Sequence, residues 1–267
     1  MSRKQPQEIQ AAKVAGDVLV CLTAYTAPMA YMLDPHCDLL LVGDSLGTVL
    51  YGMETTTEVT LEMMINHGRA VSQAANQACI VVDMPYGTYE ESPQLAYESA
   101  KRIMDETGCD AVKLEGGLDM AGQIDHLVSH GIPVVGHIGL QPQSVIKEGG
   151  YKVKGKTDEQ ITALLSDAKA VEEAGAFALV IEGTIEDVAA DLTKSVSIPT
   201  IGIGASAACD GQILVTDDML GLTVGHIPKF VKQYAELQGI IAEAAASYAE
   251  EVKSRKFPSS EYTYKKK

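Results

Sequence analysis

Short runs of branched apolar residues, each closing on a carboxylate, recur along this chain and restrict what it can fold into. Leu39-Leu40-Leu41-Val42-Gly43-Asp44 is the first, and Ile80-Val81-Val82-Asp83, Ala111-Val112-Lys113-Leu114-Glu115 and Leu179-Val180-Ile181-Glu182 repeat it. Consecutive apolar residues of this kind read as strands buried on both faces, the habit of parallel sheets. In parallel sheets and barrels, ligands gather at the carboxyl ends of the strands. A single acid there can be a metal ligand, a base or the N-cap of the next helix. Four acids at four strand ends read as a site.

The rest of the chain supplies more strands and the helices between them. Strands are expected over Val18–Tyr25, Leu39–Val42, Cys79–Asp83, Ala111–Leu114, Val134–Ile138, Ala178–Ile181, Pro199–Gly204 and Gln212–Val215. Helices are expected with Pro28 in the first turn of a short one, over Glu58–Asn76, from Ser92-Pro93 to Gly108, and over Met120–His130, Thr157–Gly175 and Lys229–Lys253. Thr157 reads as a cap, with Asp158 and Glu159 in the first turn, where the helix dipole favours them. This alternation predicts an α/β fold, a (β/α)8 barrel, with an open doubly wound sheet as the alternative. No linker or composition break divides the 267 residues, so 1–267 reads as a single barrel domain, with 1–16 and 255–267 as terminal extensions. Gln141 to Lys156, with Gly149-Gly150 and Gly155, reads as a long loop serving as a lid.

Charge and composition exclude several function classes. A net charge of −15 lacks the basic footprint that nucleic-acid binding demands. No apolar run reaches the roughly 18 residues that cross a bilayer. The basic Arg3-Lys4 has no apolar segment behind it, so neither a secretory signal nor a membrane is expected, and the protein reads as cytoplasmic. Cys21, Cys37, Cys79, Cys109 and Cys209 form no paired motif and read as reduced packing residues.

Asp44, Asp83 and Glu115 would share one barrel mouth. Oxygen ligands without cysteine suit Mg²⁺, a hard cation that keeps water and accepts substrate oxygens. Lys113 lies two residues before Glu115, so both point to the same side of a strand. Its amine can hold a substrate carboxylate or form a Schiff base, and a neighbouring metal favours charge recognition. Glu182 ends a buried strand with no basic residue nearby in sequence, and burial without a partner would raise its pKa toward that of a general base. His137 can donate to substrate or orient a carboxylate. His126 and His130 have the spacing of zinc ligands, but Leu127 follows His126 where a metalloprotease helix has Glu, and they read as helix-surface residues. Gly202-Ile203-Gly204-Ala205-Ser206-Ala207 departs from the dinucleotide fingerprint at its last position.

From about Leu22 to Phe230 the chain resembles the ketopantoate hydroxymethyltransferase family. The likeness is carried by Leu41-Val42-Gly43-Asp44-Ser45-Leu46-Gly47, Asp83-Met84-Pro85, Val112-Lys113-Leu114-Glu115-Gly116-Gly117 and Gly136-His137-Ile138-Gly139-Leu140-Gln141-Pro142-Gln143-Ser144. Gly149-Gly150-Tyr151-Lys152-Val153, Ile198-Pro199-Thr200-Ile201-Gly202-Ile203-Gly204 and Pro228-Lys229-Phe230-Val231-Lys232 extend it. The resemblance implies a TIM barrel of the phosphoenolpyruvate/pyruvate-binding type and a homo-oligomer, often a decamer. It implies transfer of a one-carbon unit from 5,10-methylenetetrahydrofolate to 3-methyl-2-oxobutanoate, giving ketopantoate for pantothenate and coenzyme A synthesis. Matched residue by residue, it implies that Asp44 and Asp83 bind Mg²⁺ with Glu115 close by. It further implies that Ser45, Asp83 and Lys113 hold the 2-oxoacid and that Glu182 accepts a proton. The sequence departs from the family pattern at Thr26, Lys156, Ser206 and Asp217. Another lyase or mutase acting on a 2-oxoacid, or a non-catalytic barrel, would be the competing readings.

Overall fold

The computed structural model describes residues 2–145 and 149–266. Eight parallel strands close into a barrel in chain order: β1 (Leu19–Thr23), β2 (Leu39–Val42), β3 (Cys79–Asp83), β4 (Ala111–Glu115), β5 (Val134–Gly139), β6 (Ala178–Glu182), β7 (Thr200–Ile203) and β8 (Gly211–Leu214). β8 pairs back onto β1, with Leu19 beside Gly211, so no sheet edge is left open. This closure decides between the two expected architectures in favour of the (β/α)8 barrel. Around it run α2 (Ala27–Leu33), α3 (Leu46–Val49), α4 (Leu61–Ala74), α5 (Pro93–Thr107), α6 (Ala121–Ser129), α7 (Asp158–Glu173) and α8 (Glu186–Ser195).

Alternation along each strand divides the apolar residues between two cores. Leu40, Val42, Ile80, Val82, Val112, Leu114, Leu179 and Ile181 pack outward against helix residues such as Met64, Ile65, Ile103, Ile124 and Leu127. Leu39, Leu41, Cys79, Val81, Ala111, Val135, Ala178 and Val180 fill the barrel itself. The inner cluster also holds Ile9 and Ala12 of helix α1 (Pro6–Ala15). Ile9 is 1% exposed, and such burial contributes about 2 kcal/mol. The stretch 1–16, expected as an extension, therefore contains a helix tied into the barrel core; Gln5 and Glu8 form its capping box.

Other boundaries shift for local reasons. The helix expected from Glu58 starts at Leu61, because Thr60 caps it by accepting from the Met63 N–H at 3.3 Å. The helix expected from Lys229 starts at Leu237. The expected lid begins with a 3-10 turn at Pro142–Ser144, and its residues 146–148 lie outside the described residues. Its far end is stitched to the segment just after β6: Lys154 N–H donates to Gly183 O and Ile185 N–H to Lys154 O.

Two compact units divide the chain, residues 1–215 and 216–267. The second contains α9 (Thr216–Met219) and α10 (Leu237–Lys253), and the Phe257 ring lies 5.5 Å from that of Tyr248 and 5.7 Å from that of Tyr262. Among the described residues, no helix is long and apolar enough to cross a membrane.

One surface carboxylate gives a pH-dependent stability that can be measured. Burial alone would raise the Glu172 pKa, but hydrogen bonds from the Ser197 hydroxyl and N–H, together with Lys169, lower it to about 2. A lowered folded-state pKa stabilises above the unfolded value and loses that stabilisation as pH falls toward the folded one. Glu172→Gln is therefore expected to cost about 1 kcal/mol at pH 7, a figure reduced by solvent screening. Urea denaturation of both proteins should show the gap closing as pH drops from the ordinary glutamate range toward 2.

Candidate active site

The inward-facing rows of the barrel turn polar at the carboxyl ends of the strands. Two residues beyond Val81 stands Asp83; beyond Ala111 come Lys113 and Glu115; beyond Val135, His137; beyond Val180, Glu182. Strand pairing sets Asp83 beside Lys113 and Glu115 beside His137. Asp44 and Ser45 follow β2 after Gly43, where a Cβ would meet Ser45 Oγ at 2.9 Å and force it to shift. All seven residues singled out in the sequence stand at this one end of the barrel, and Asp44, Asp83, Lys113, Glu115 and His137 are buried.

The side chains form a continuous polar network. Lys113 Nζ lies 2.8 Å from Asp83 Oδ1 and 3.3 Å from His137 Nδ1. Asp83 Oδ2 accepts from the Asp44 N–H at 2.9 Å. His137 Nδ1 is 3.5 Å from Glu115 Oε1, and Nε2 is 3.2 Å from Glu182 Oε2. A proton on Nδ1 faces Glu115; without it, the ring nitrogen accepts from Lys113. Ser45 Oγ and the Tyr25 hydroxyl are 2.7 Å apart. Glu182 departs from the sequence expectation: its side chain is 17% exposed, and His137 is its charged neighbour.

Electrostatics show a site short of positive charge. Burial, then the charges of Asp83 and Glu115, push the Asp44 carboxyl up to about 8, while Lys113 and the Gln143 hydrogen bond pull it back. Burial would lower the Lys113 pKa, but Asp83, Glu115 and Asp44 more than reverse this and hold the ammonium charged. Burial and Lys113 likewise lower His137, and the Glu115 and Glu182 carboxylates outweigh them, setting it at about 9. Among the described residues of this network, Asp83 Oδ1 and His137 Nε2 are without an aligned hydrogen bond despite their charged neighbours.

Among the described residues, no three His, Cys, Asp or Glu side chains stand ready as a metal cage. Mg²⁺ does not need one, since it uses one or two carboxylates and completes its octahedron with water and substrate oxygens. Asp44, with its destabilised charge, and Asp83, with its unaligned Oδ1, fit that requirement, and Glu115 adds charge beside them.

Sequence reasoning missed Gln143 and Tyr89. The Gln143 side chain donates from Nε2 to Asp44 Oδ2 at 2.9 Å and to Met84 O at 3.0 Å, while its N–H donates to Glu115 Oε2 at 3.0 Å. The Tyr89 hydroxyl donates to Gln143 Oε1 at 2.6 Å. The one signal for Gln143 was its place in the conspicuous stretch after β5, where uncharged amides invite less notice than acids. His126 and His130 stand elsewhere, on and just after α6, with rings 4.3 Å apart and packed near Tyr97. Of the positions that depart from the resembled pattern, Thr26 caps α2 by accepting from the Met29 N–H, and the Ser206 hydroxyl accepts from the Ala208 N–H.

Comparison with known proteins adds an independent line. The model of the family described as ketopantoate hydroxymethyltransferase matches residues 3–260. The 3-methyl-2-oxobutanoate hydroxymethyltransferase of Mesorhizobium japonicum is 64% identical over 93% of this chain and 87% of its own. That of Paramagnetospirillum magneticum is 56% identical over 99% of this chain and 96% of its own. Among solved structures, phosphonopyruvate hydrolase in complex with oxalate and Mg²⁺ superposes with a TM-score of 0.62 at 12% identity, over 98% of this chain and 93% of that one. Phosphoenolpyruvate phosphomutase from Streptomyces platensis subsp. rosaceus gives 0.63 at 12% identity, over 94% and 88%. At such identities the structural likeness speaks to the fold alone, the closed parallel barrel already described.

Proposed function

The chain belongs to the ketopantoate hydroxymethyltransferase family, and from that premise we propose that it adds a hydroxymethyl group to 3-methyl-2-oxobutanoate. The donor in this reading is 5,10-methylenetetrahydrofolate, with one water consumed, and the products are 2-dehydropantoate and tetrahydrofolate. The observation that carries the reading is the convergence of Asp44, Asp83, Lys113, Glu115, His137 and Glu182 in one network at the barrel mouth.

Each residue has a role its surroundings support. Lys113, held cationic by Asp83 and Glu115, balances the carboxylate of the 2-oxoacid. Ser45, at the end of β2 and against the Tyr25 hydroxyl, supplies a hydrogen bond to the same substrate. Asp44 and Asp83 would hold Mg²⁺, with Glu115 beside them. When bound, Mg²⁺ supplies Lewis-acid polarisation of the keto oxygen, which makes the adjacent C–H acidic. Glu182, the most exposed acid of the network, reaches toward substrate and accepts the proton from C3. The electron pair left on C3 forms the new bond to the one-carbon unit. His137, held between Glu115 and Glu182, orients the base. The glycine-rich loop, stitched at Lys154 to the segment just after β6, shields that step from water.

The test is an assay of the purified protein with 3-methyl-2-oxobutanoate, methylenetetrahydrofolate and Mg²⁺, each omitted in turn. Ketopantoate is expected only when all three are present, with activity lost to a chelator and restored by added Mg²⁺. Product formed without folate, or turnover indifferent to the chelator, would overturn the reading. Exchange of the C3 hydrogen with solvent deuterium in the absence of folate would locate the proton transfer independently.

A further inference from the structure

The network contains a neutral component that none of these roles uses. Gln143 is 5% exposed, Tyr89 is 1% exposed, and neither carries charge for chemistry. Yet together they occupy nearly every hydrogen-bonding position between two of the acids. Gln143 spends both Nε2 hydrogens, on Asp44 Oδ2 and Met84 O, and its N–H on Glu115 Oε2. Tyr89 accepts from the Glu115 N–H at 3.3 Å and donates to Gln143 Oε1 at 2.6 Å.

That arrangement allows one orientation of the amide. Turned over, Oε1 would face the Asp44 carboxylate and the Met84 carbonyl, acceptor against acceptor, and Nε2 would face the hydroxyl. On the other side of the amide the Tyr89 hydroxyl, 2.6 Å from Oε1, closes the pocket and supplies the hydrogen that the oxygen accepts. Tyr89 therefore fixes Gln143, and Gln143 fixes Asp44 through Oδ2 while leaving Oδ1 outside the bond. The same residue grips Glu115 through its backbone, so acids from β4 and the end of β2 are referred to one rigid part.

We propose that Gln143 is a positioning residue that sets Asp44 and Glu115 for a divalent cation and the 2-oxoacid, with Tyr89 locking its amide. Such outer partners of metal-binding carboxylates tune affinity without touching the metal. The inference rests on the proposed hydroxymethyl transfer and deepens it.

Wild type, Gln143→Met, Gln143→Glu and Tyr89→Phe are titrated with magnesium chloride by calorimetry, melted with and without it, and assayed for ketopantoate. Gln143→Met is expected to weaken Mg²⁺ binding about 10- to 100-fold, with kcat/KM falling in parallel. Gln143→Glu should fall further, because a carboxylate then faces Asp44. Tyr89→Phe, which removes only the hydroxyl, should weaken Mg²⁺ about tenfold with little change in melting temperature. A purely structural role would lower melting temperatures and leave Mg²⁺ affinity of the folded variants at the wild-type value, which overturns the inference. A wild type that neither binds Mg²⁺ nor forms product refutes the functional reading and this inference with it. An active wild type with unchanged variants refutes the inference alone.

Discussion

Replacing Glu182 by Gln should lower kcat for ketopantoate formation about 1,000-fold, the usual worth of a positioned base. The substitution keeps the side chain's shape and removes its charge together with its capacity to accept a proton. Glu182 ends β6 on its inward face, 3.2 Å from His137 Nε2, and is not among the acids bonded to Gln143 or Asp83. Substrate binding therefore loses little, and KM for the 2-oxoacid should stay within about threefold of wild type, so the loss falls on the chemical step. Solvent exchange at C3 should fall by the same factor as turnover, because both need the same proton transfer. A variant that kept turnover and exchange within about tenfold of wild type would remove Glu182 from that role.

Lys113→Met should be the most damaging single change to the fold and the site together. Lys113 is 4% exposed, 2.8 Å from Asp83 Oδ1 and on the strand paired with Asp83. Removing it leaves Asp44, Asp83 and Glu115 buried, with His137 the remaining cationic group described in the network. Breaking such a buried pair costs about 3 kcal/mol or more at neutral pH. The pH dependence has a definite sign. Asp44, already raised to about 8, stabilises the fold while protonated, and that contribution is lost as pH rises toward 8. Loss of the ammonium strengthens this trend, so urea denaturation should show the variant closest to wild type at pH 5 and furthest from it at pH 8. Activity should fall by more than about 100-fold, because the substrate carboxylate also loses its partner. Equal instability at both pH values would show that the Asp44 carboxyl does not depend on Lys113.

Much of this was legible in the chain. The barrel could be read because its strands are buried on both faces and so appear as unbroken apolar runs, as at Ile80–Val82. The acids stood out because charge at the end of such a run is costly and demands a reason. What the sequence left dark was the neutral scaffolding. Gln143 and Tyr89 look like any polar and aromatic residue until the fold brings them 54 positions together. Glu182 was read as solitary because its partner, His137, is adjacent only through the β5–β6 pairing. Helix α1 was read as an extension because its apolar residues, Ile9 and Ala12, are few and their burial depends on the barrel they enter.

The alternation of each strand carries a consequence for how such a protein can change over time. On β4, Ala111, Lys113 and Glu115 point inward while Val112 and Leu114 hold the helices. Gaining or losing one residue there would swing the charged pair into the grease and the grease into the mouth. Architecture and reactivity are thus written in the same letters, and neither can be edited without rewriting the other. New substrates have to be accommodated by the loops beyond the strand ends, where length and wording are free to drift.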